Sequence, residues 1–135
     1  MTHLLDTNAC VTHLRSRGGS GISARIRAAA PGAIAVSSVT REELLFGALR
    51  SKAVSHNLGS VRSLLSALIE IPFDAMAAES SAAIRASLEQ AGTRIGYADA
   101  LIAGVAITHN LILVTHNVAE FARIGGLRLE DWETP

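Results

Sequence analysis

Apolar and polar positions follow two rhythms along this chain. Five short apolar runs predict strands: His3–Leu5, Ala33–Ser37, Glu70–Pro72, Leu111–Thr115 and Leu127–Leu129. Between them the spacing is helical. Val61, Leu64, Leu65 and Leu68 recur at i, i+3, i+4 and i+7, which marks one apolar helix face. Asn8 to about Arg15 predicts a first helix, and Ser20 to Ala30 a second, stopped by Pro31 and Gly32. Thr40, with Glu43 three residues later, has the spacing of a capping box and opens a third. Asp74 to Ala91 is Ala-rich and ends at Gly92; Tyr97 to about His109 and Val118 to about Arg123 are two more helices. Strands alternating with helices imply an α/β fold, a three-layer α/β/α arrangement around a central, mostly parallel sheet of about five strands. The Gly18-Gly19-Ser20-Gly21 cluster is too short for an interdomain linker and lacks the lysine of a phosphate-cradling loop, so it predicts a joint between two helices. Residues 1–135 therefore read as a single domain.

Composition narrows the picture. Apolar residues make up 49% of the chain, enough for a real core, and aromatics only 4%, so that core must be Ala, Leu, Ile and Val. So few aromatics argue against a base-stacking platform for single-stranded nucleic acid. A lone cysteine, Cys10, excludes an internal disulfide, fits a cytoplasmic location, and lies in a helical pattern that makes it a small buried residue. No apolar run approaches the roughly 20 residues of a membrane span. Net charge is zero but uneven: residues 1–67 carry eight cations against three acids, and residues 68–135 four against nine. All cations but Lys52 are Arg, whose fork matches phosphate oxygens bidentately. A basic first half is compatible with a phosphate-rich partner, and equally with a solvated surface.

The chemistry-bearing residues are carboxylates. In an open parallel α/β sheet, ligands gather beyond the C-terminal strand ends. Asp6 follows the first strand, and Thr115-His116-Asn117 follows the fourth. Glu43 lies near the start of the helix after strand two, and Asp99 in the first turn of the helix from Tyr97. Four segments thus bring oxygen ligands to one crevice. Acids in a first helical turn also serve the helix dipole, worth about 0.3–1 kcal/mol each. Context points further. Asp99 sits inside the apolar run Ile95 to Ala103, where a charge needs a cation or donors. Glu43 precedes Gly47 by one turn, which opens room beside the carboxylate for a substrate.

These residues and their surroundings resemble the PIN-domain ribonucleases of the VapC toxin type, over essentially the whole chain. The resemblance rests on Leu5-Asp6-Thr7-Asn8, on Ser37 to Leu44 with Gly47, and on Ile84-Arg85-Ala86, Gly92 and Ile95-Gly96. It continues in Asp99 to Ala103 and Val114 to Asn117, then Glu120-Phe121, Gly126-Leu127 and Glu130-Asp131-Trp132. It implies a PIN-like fold and an endoribonuclease toxin with Asp6, Glu43 and Asp99 as catalytic metal ligands. The family often places Asp where this chain has Asn117, an amide that offers a carbonyl oxygen but no charge. Glu120, one turn on, then contributes through a water. The resemblance also implies transfer or ribosomal RNA as substrate, products with a 5′ phosphate and a 3′ hydroxyl, a VapB-type antitoxin covering the groove, a homodimer, and a hetero-oligomer with antitoxin.

An all-oxygen, carboxylate-rich site suits Mg²⁺, with Mn²⁺ as a substitute. The five histidines lack zinc-like spacing, and His116 reads as a loop position. Thr7 and Thr115 would hold ligand carboxylates or waters, or simply cap helices. Two rivals begin with a strand followed by Asp, the haloacid-dehalogenase-like phosphatases and phospho-acceptor receiver domains. Both need a lysine at the phosphoryl group, and Lys52 falls in a helical or linking segment. A further alternative is a catalytically weakened domain that only binds antitoxin or RNA, with Asn117 as its mark.

Overall fold

The computed structural model describes residues 1–133. Its elements in chain order are β1 (His3–Leu5), α1 (Thr7–Arg15), α2 (Gly21–Ala28), β2 (Ile34–Ser37), α3 (Ser38–Leu49) and α4 (Val54–Ser66). They continue with β3 (Ile69–Ile71), α5 (Ala75–Gln90), α6 (Tyr97–Thr108), β4 (Ile112–Val114), α7 (Val118–Phe121) and β5 (Leu129–Glu130). The strands form one sheet in the order β3-β2-β1-β4-β5, and every neighbouring pair is parallel. The expected three-layer α/β/α architecture is what the chain adopts.

The layers follow from strand alternation. Leu4 pairs with Ala35 and Leu113, and Leu5 with Val36 and Val114. Successive side chains point to opposite faces. Leu4, Ala35 and Leu113 therefore join a core under α5 and α6, with Ala77, Leu88, Ile102, Ala103 and Ala106. Leu5, Val36 and Val114 join a second core under α1 to α4, with Cys10, Ile22, Leu44, Val61, Leu64 and Leu65. The predicted stripe of α4 thus faces the sheet, and Cys10 is a buried packing residue whose thiol burial pushes to higher pKa. Helices α5 and α6 approach so closely that a Cβ on Gly104 would lie 2.8 Å from the Ala77 carbonyl oxygen and from Ser81 Cβ.

Several boundaries move for local reasons. Asp6 caps α1 with its side chain, accepting the Ala9 N–H at 2.7 Å, so the helix starts at Thr7 rather than Asn8. Thr40 is not the N-cap of α3. Ser37 is, its hydroxyl accepting the Thr40 N–H at 3.2 Å, and the helix begins three residues ahead of the predicted capping box. Thr40 is instead fully buried against Ser37 and Thr7. β3 ends at Ile71, before Pro72, which has no N–H for a ladder. β5 is Leu129–Glu130 rather than Leu127–Leu129. After it, the indole of Trp132 folds back on β1, 5.1 Å from the His3 ring, and donates to Glu130.

This topology fixes the crevice. From central β1 the chain steps to β2 on one side and later to β4 on the other. The order reverses between β1 and β4, where open α/β sheets present their ligand sites. Asp6 and Thr115 end these two neighbours, tied by an Asp6 N–H to Val114 carbonyl bond of 3.1 Å.

Candidate functional site

Asp6 is the deepest of the acids, with 2% of its surface exposed. Burial raises its pKa, the Thr115 hydroxyl and the Ala9 N–H oppose that rise, and the charges of Glu133 and Glu43 add to it. Glu43 reaches the same place from α3. The Thr7 hydroxyl donates to its Oε1 at 2.5 Å and contacts Thr40 Oγ1 at 3.0 Å. Thr7 therefore orients a carboxylate on a different helix, and it is Asp6, not Thr7, that caps α1. The space expected beside Gly47 is open, since a Cβ there would meet nothing within 4 Å.

Asp99 opens α6 from the other side of the crevice. Its carboxyl is pushed up to about 6, first by burial and then by the charges of Asp6, Glu120 and Glu43. That mutual influence is the plainest sign that four carboxylates from β1, α3, α6 and α7 share one volume. The charges of Asp6, Glu120 and Glu43 add to burial in resisting ionisation of Asp99, and a multivalent cation would relieve that conflict.

Glu120 occupies the place that the sequence pattern left open. One oxygen accepts the Gly96 N–H at 3.3 Å, and the other accepts the Asn117 Nδ2–H at 2.5 Å. A carboxylate oxygen only accepts, so the amide of Asn117 must turn its NH₂ toward Glu120. The Asn117 backbone N–H in turn donates to Thr115 Oγ1 at 3.0 Å. Thr115, Asn117 and Glu120 thus form one relay from the end of β4 to the acid cluster. The side chain of Asn117 is engaged in holding Glu120.

The donor set fits a hard divalent cation. It is all oxygen, with Asp6 buried and the other three acids partly buried around it. No three of these four acids converge to within 4.8 Å of one another; among the described residues the trio that does is His116, Asp131 and Glu133.

Sequence reasoning missed Glu133, which lies near enough to Asp6 to raise its pKa. Nothing local marks it; the fold-back of Trp132 onto β1 brings it in. Its Oε1 accepts the Thr12 hydroxyl at 3.2 Å, and its N–H donates to Asp131. His116 Nδ1 meets Asp131 Oδ2 at 3.1 Å on the rim. Glu42, the neighbour of Glu43, is exposed.

A PIN domain family model matches residues 3–127. The chain is 39% identical over 129 residues to the tRNA(fMet)-specific endonuclease VapC of Shigella flexneri, covering 96% of each protein. It is 38% identical to Ribonuclease VapC2 of Rickettsia felis, over 98% of this chain and 99% of that one. Among solved structures it superposes on the DNA-bound VapBC of Salmonella typhimurium with a TM-score of 0.93 and 37% identity, covering 98% of each chain. With VapBC2 of Rickettsia felis bound to a promoter fragment the TM-score is 0.88 at 35% identity, over 98% and 99% of the two chains.

Proposed function

This chain belongs to the PIN-domain family, and from that premise we propose that it is a divalent-metal-dependent endoribonuclease of the VapC type, the toxin of a toxin–antitoxin pair. The observation that carries the reading is Asp99, held near pKa 6 by burial and by three other carboxylates from separate elements. Such a concentration of like charge at a switch point has little structural use and a direct use in holding a cation.

In this reading Asp6, Glu43, Asp99 and Glu120 hold Mg²⁺, or Mn²⁺ in its place, directly or through waters. The bound cation supplies Lewis acidity toward a phosphodiester oxygen and an activated water. The chain's own residues do the rest. Asp6, locked by the Ala9 N–H and Thr115, is the fixed wall of the site. Thr7 fixes Glu43, and Asn117 with Gly96 fixes Glu120, so three of the four acids have assigned orientations. Asp99, without such a tether in its own helix turn, is the acid whose proton must leave before a cation binds fully.

Transfer RNA is the substrate class favoured here, because the Shigella and Salmonella relatives carry that activity in their names. A VapB-type antitoxin is the partner, as in the VapBC complexes on which the chain superposes. A homodimer, and a hetero-oligomer with antitoxin in a cytoplasmic setting, complete the reading. The weakened-site alternative loses its basis, because the amide at 117 is accompanied by an acid at 120 that it positions.

The test is cleavage of transfer RNA by purified protein, with and without Mg²⁺. Cleavage that needs the metal and disappears in Asp99→Asn, with circular dichroism unchanged, is the expected result. Undiminished cleavage in EDTA, or by that variant, would sink the proposal.

A further inference from the structure

The acidic second half of the chain has four cations, Arg85, Arg94, Arg123 and Arg128. Three of them meet around the loop that leads into α6. A cavity of about 240 Å³ is lined by Arg85, Leu88, Glu89, Arg94, Ile95 and Tyr97. The Arg85 guanidinium stands over the Tyr97 ring, 4.8 Å from its centroid. Arg123 Nη1 donates to the Arg94 carbonyl at 3.0 Å and so braces the same loop. Tyr97 is the only tyrosine of the chain, yet it is 63% exposed.

The pocket is joined to the acid cluster through one residue. Gly96 lies between Ile95 and Tyr97, both of which line the cavity. Its own N–H donates to Glu120, and a Cβ placed on it would stand 3.1 Å from Asp99 Oδ2. The loop that lines the pocket thus also touches the acid cluster, at Gly96.

We propose that the Arg85–Arg94–Tyr97 pocket is a nucleotide subsite for the RNA strand, holding the unit beside the one that is cut. It rests on the ribonuclease reading given above and assigns residues to substrate recognition that this reading does not use. Arg85 and Arg94 grip a backbone phosphate, and the exposed Tyr97 ring, stiffened by Arg85, receives a base. Guanidinium forks suit phosphate, and a single exposed aromatic suffices for stacking one base. Among the described residues neither Arg85 nor Arg123 forms an ion pair. Arg94 meets Glu89 only at 3.9 Å with both side chains well exposed, an interaction that a phosphate displaces readily. The arginines also answer a physical difficulty. A strand of phosphates approaching four carboxylates is repelled, and Arg94 on the Gly96 loop, with Arg85 on α5 and Arg123 after α7, would offset that repulsion.

The experiment measures binding of a labelled single-stranded oligoribonucleotide and of transfer RNA in EDTA, and steady-state cleavage in Mg²⁺. Arg85→Gln, Arg94→Gln and Tyr97→Ala are compared with the wild type, with folding monitored by circular dichroism. Each Arg variant should flatten the slope of log affinity against log salt by about one. Tyr97→Ala should weaken oligonucleotide binding about tenfold, and much less for an abasic oligonucleotide. All three should raise KM more than they lower kcat. If the wild type cleaves RNA while these variants keep its affinity, slope and KM, the subsite is overturned and the ribonuclease reading stands. If the variants lose RNA binding but the wild type cleaves nothing, the pocket stands as an RNA-binding site only, and its place beside a cut unit falls with the ribonuclease reading. Loss of antitoxin binding alone, with RNA binding intact, overturns the subsite.

Discussion

At the scale of single residues, the charge of Asp99 is opposed first by burial and then by the charges of Asp6, Glu120 and Glu43. Asp99 has a folded pKa of about 6 against an ordinary 3.8. The folded state then binds more protons than the unfolded state between these values, so this group's contribution to stability is fully present below about pH 4. It is lost as pH rises through 6. Metal-free Asp99→Asn should therefore be more stable than wild type at neutral pH, by about 1 kcal/mol after allowance for solvent screening of a half-exposed group. The gain should vanish near pH 4, and Mg²⁺ should stabilise the wild type more than the variant; thermal melts at two pH values, with and without metal, check both. A gain that is equal at the two pH values would place its origin outside this ionisation. Asn117 makes a separate claim. If it acts by holding Glu120, Asn117→Ala should cost roughly tenfold in kcat, the usual scale for removing a group that orients a ligand. Loss of metal affinity measured by calorimetry should accompany it.

At the scale of elements, two junctions set where the acids point. The first is the passage from β2 into α3 without an intervening loop, which Ser37 achieves by being the last strand residue and the N-cap at once. Ser37→Ala should cost about 1 kcal/mol in chemical denaturation, as cap removal usually does, and should loosen Glu43 with it. The second is the tight seam between α5 and α6. Gly104→Ala adds helix propensity but drives a methyl into the Ala77 carbonyl and Ser81 of the facing helix. The clash outweighs the propensity gain, and a net loss of about 1–3 kcal/mol is expected from the denaturation midpoint. A stabilised variant would mean that the two helices can separate without cost. Because α6 carries Asp99 at its start, the same substitution should also lower cleavage.

At the scale of the whole molecule, charge is arranged by the fold rather than by halves of the chain. The arginines that meet around the Gly96 loop, Arg85, Arg94 and Arg123, come from the acidic half of the chain. RNA affinity should fall about a hundredfold or more between about 50 and 200 mM salt, as counterion release requires for several phosphate contacts, and filter binding across that range checks it. The sequence by itself determined the element order, the parallel α/β architecture, and Asp6 and Asp99 as acids at a strand end and a helix start, whereas Glu43, expected near a helix start, lies beyond the first turn of α3. Those follow from periodicity, from breaking residues and from local position, which are properties of short segments. It could not separate Ser37 from Thr40 as the cap of α3, since both lie at plausible spacings and only the buried contact of Thr40 with Thr7 decides between them. It left Asn117 and Glu120 as competing ligands, because a hydrogen bond between them is visible only when α7 is folded. It gave no sign of Glu133 beside Asp6, or of Arg85 over Tyr97, because those neighbours meet through folding across long separations in the chain. Through-space electrostatics and packing act between residues that no local pattern relates, and the tertiary structure alone decides them.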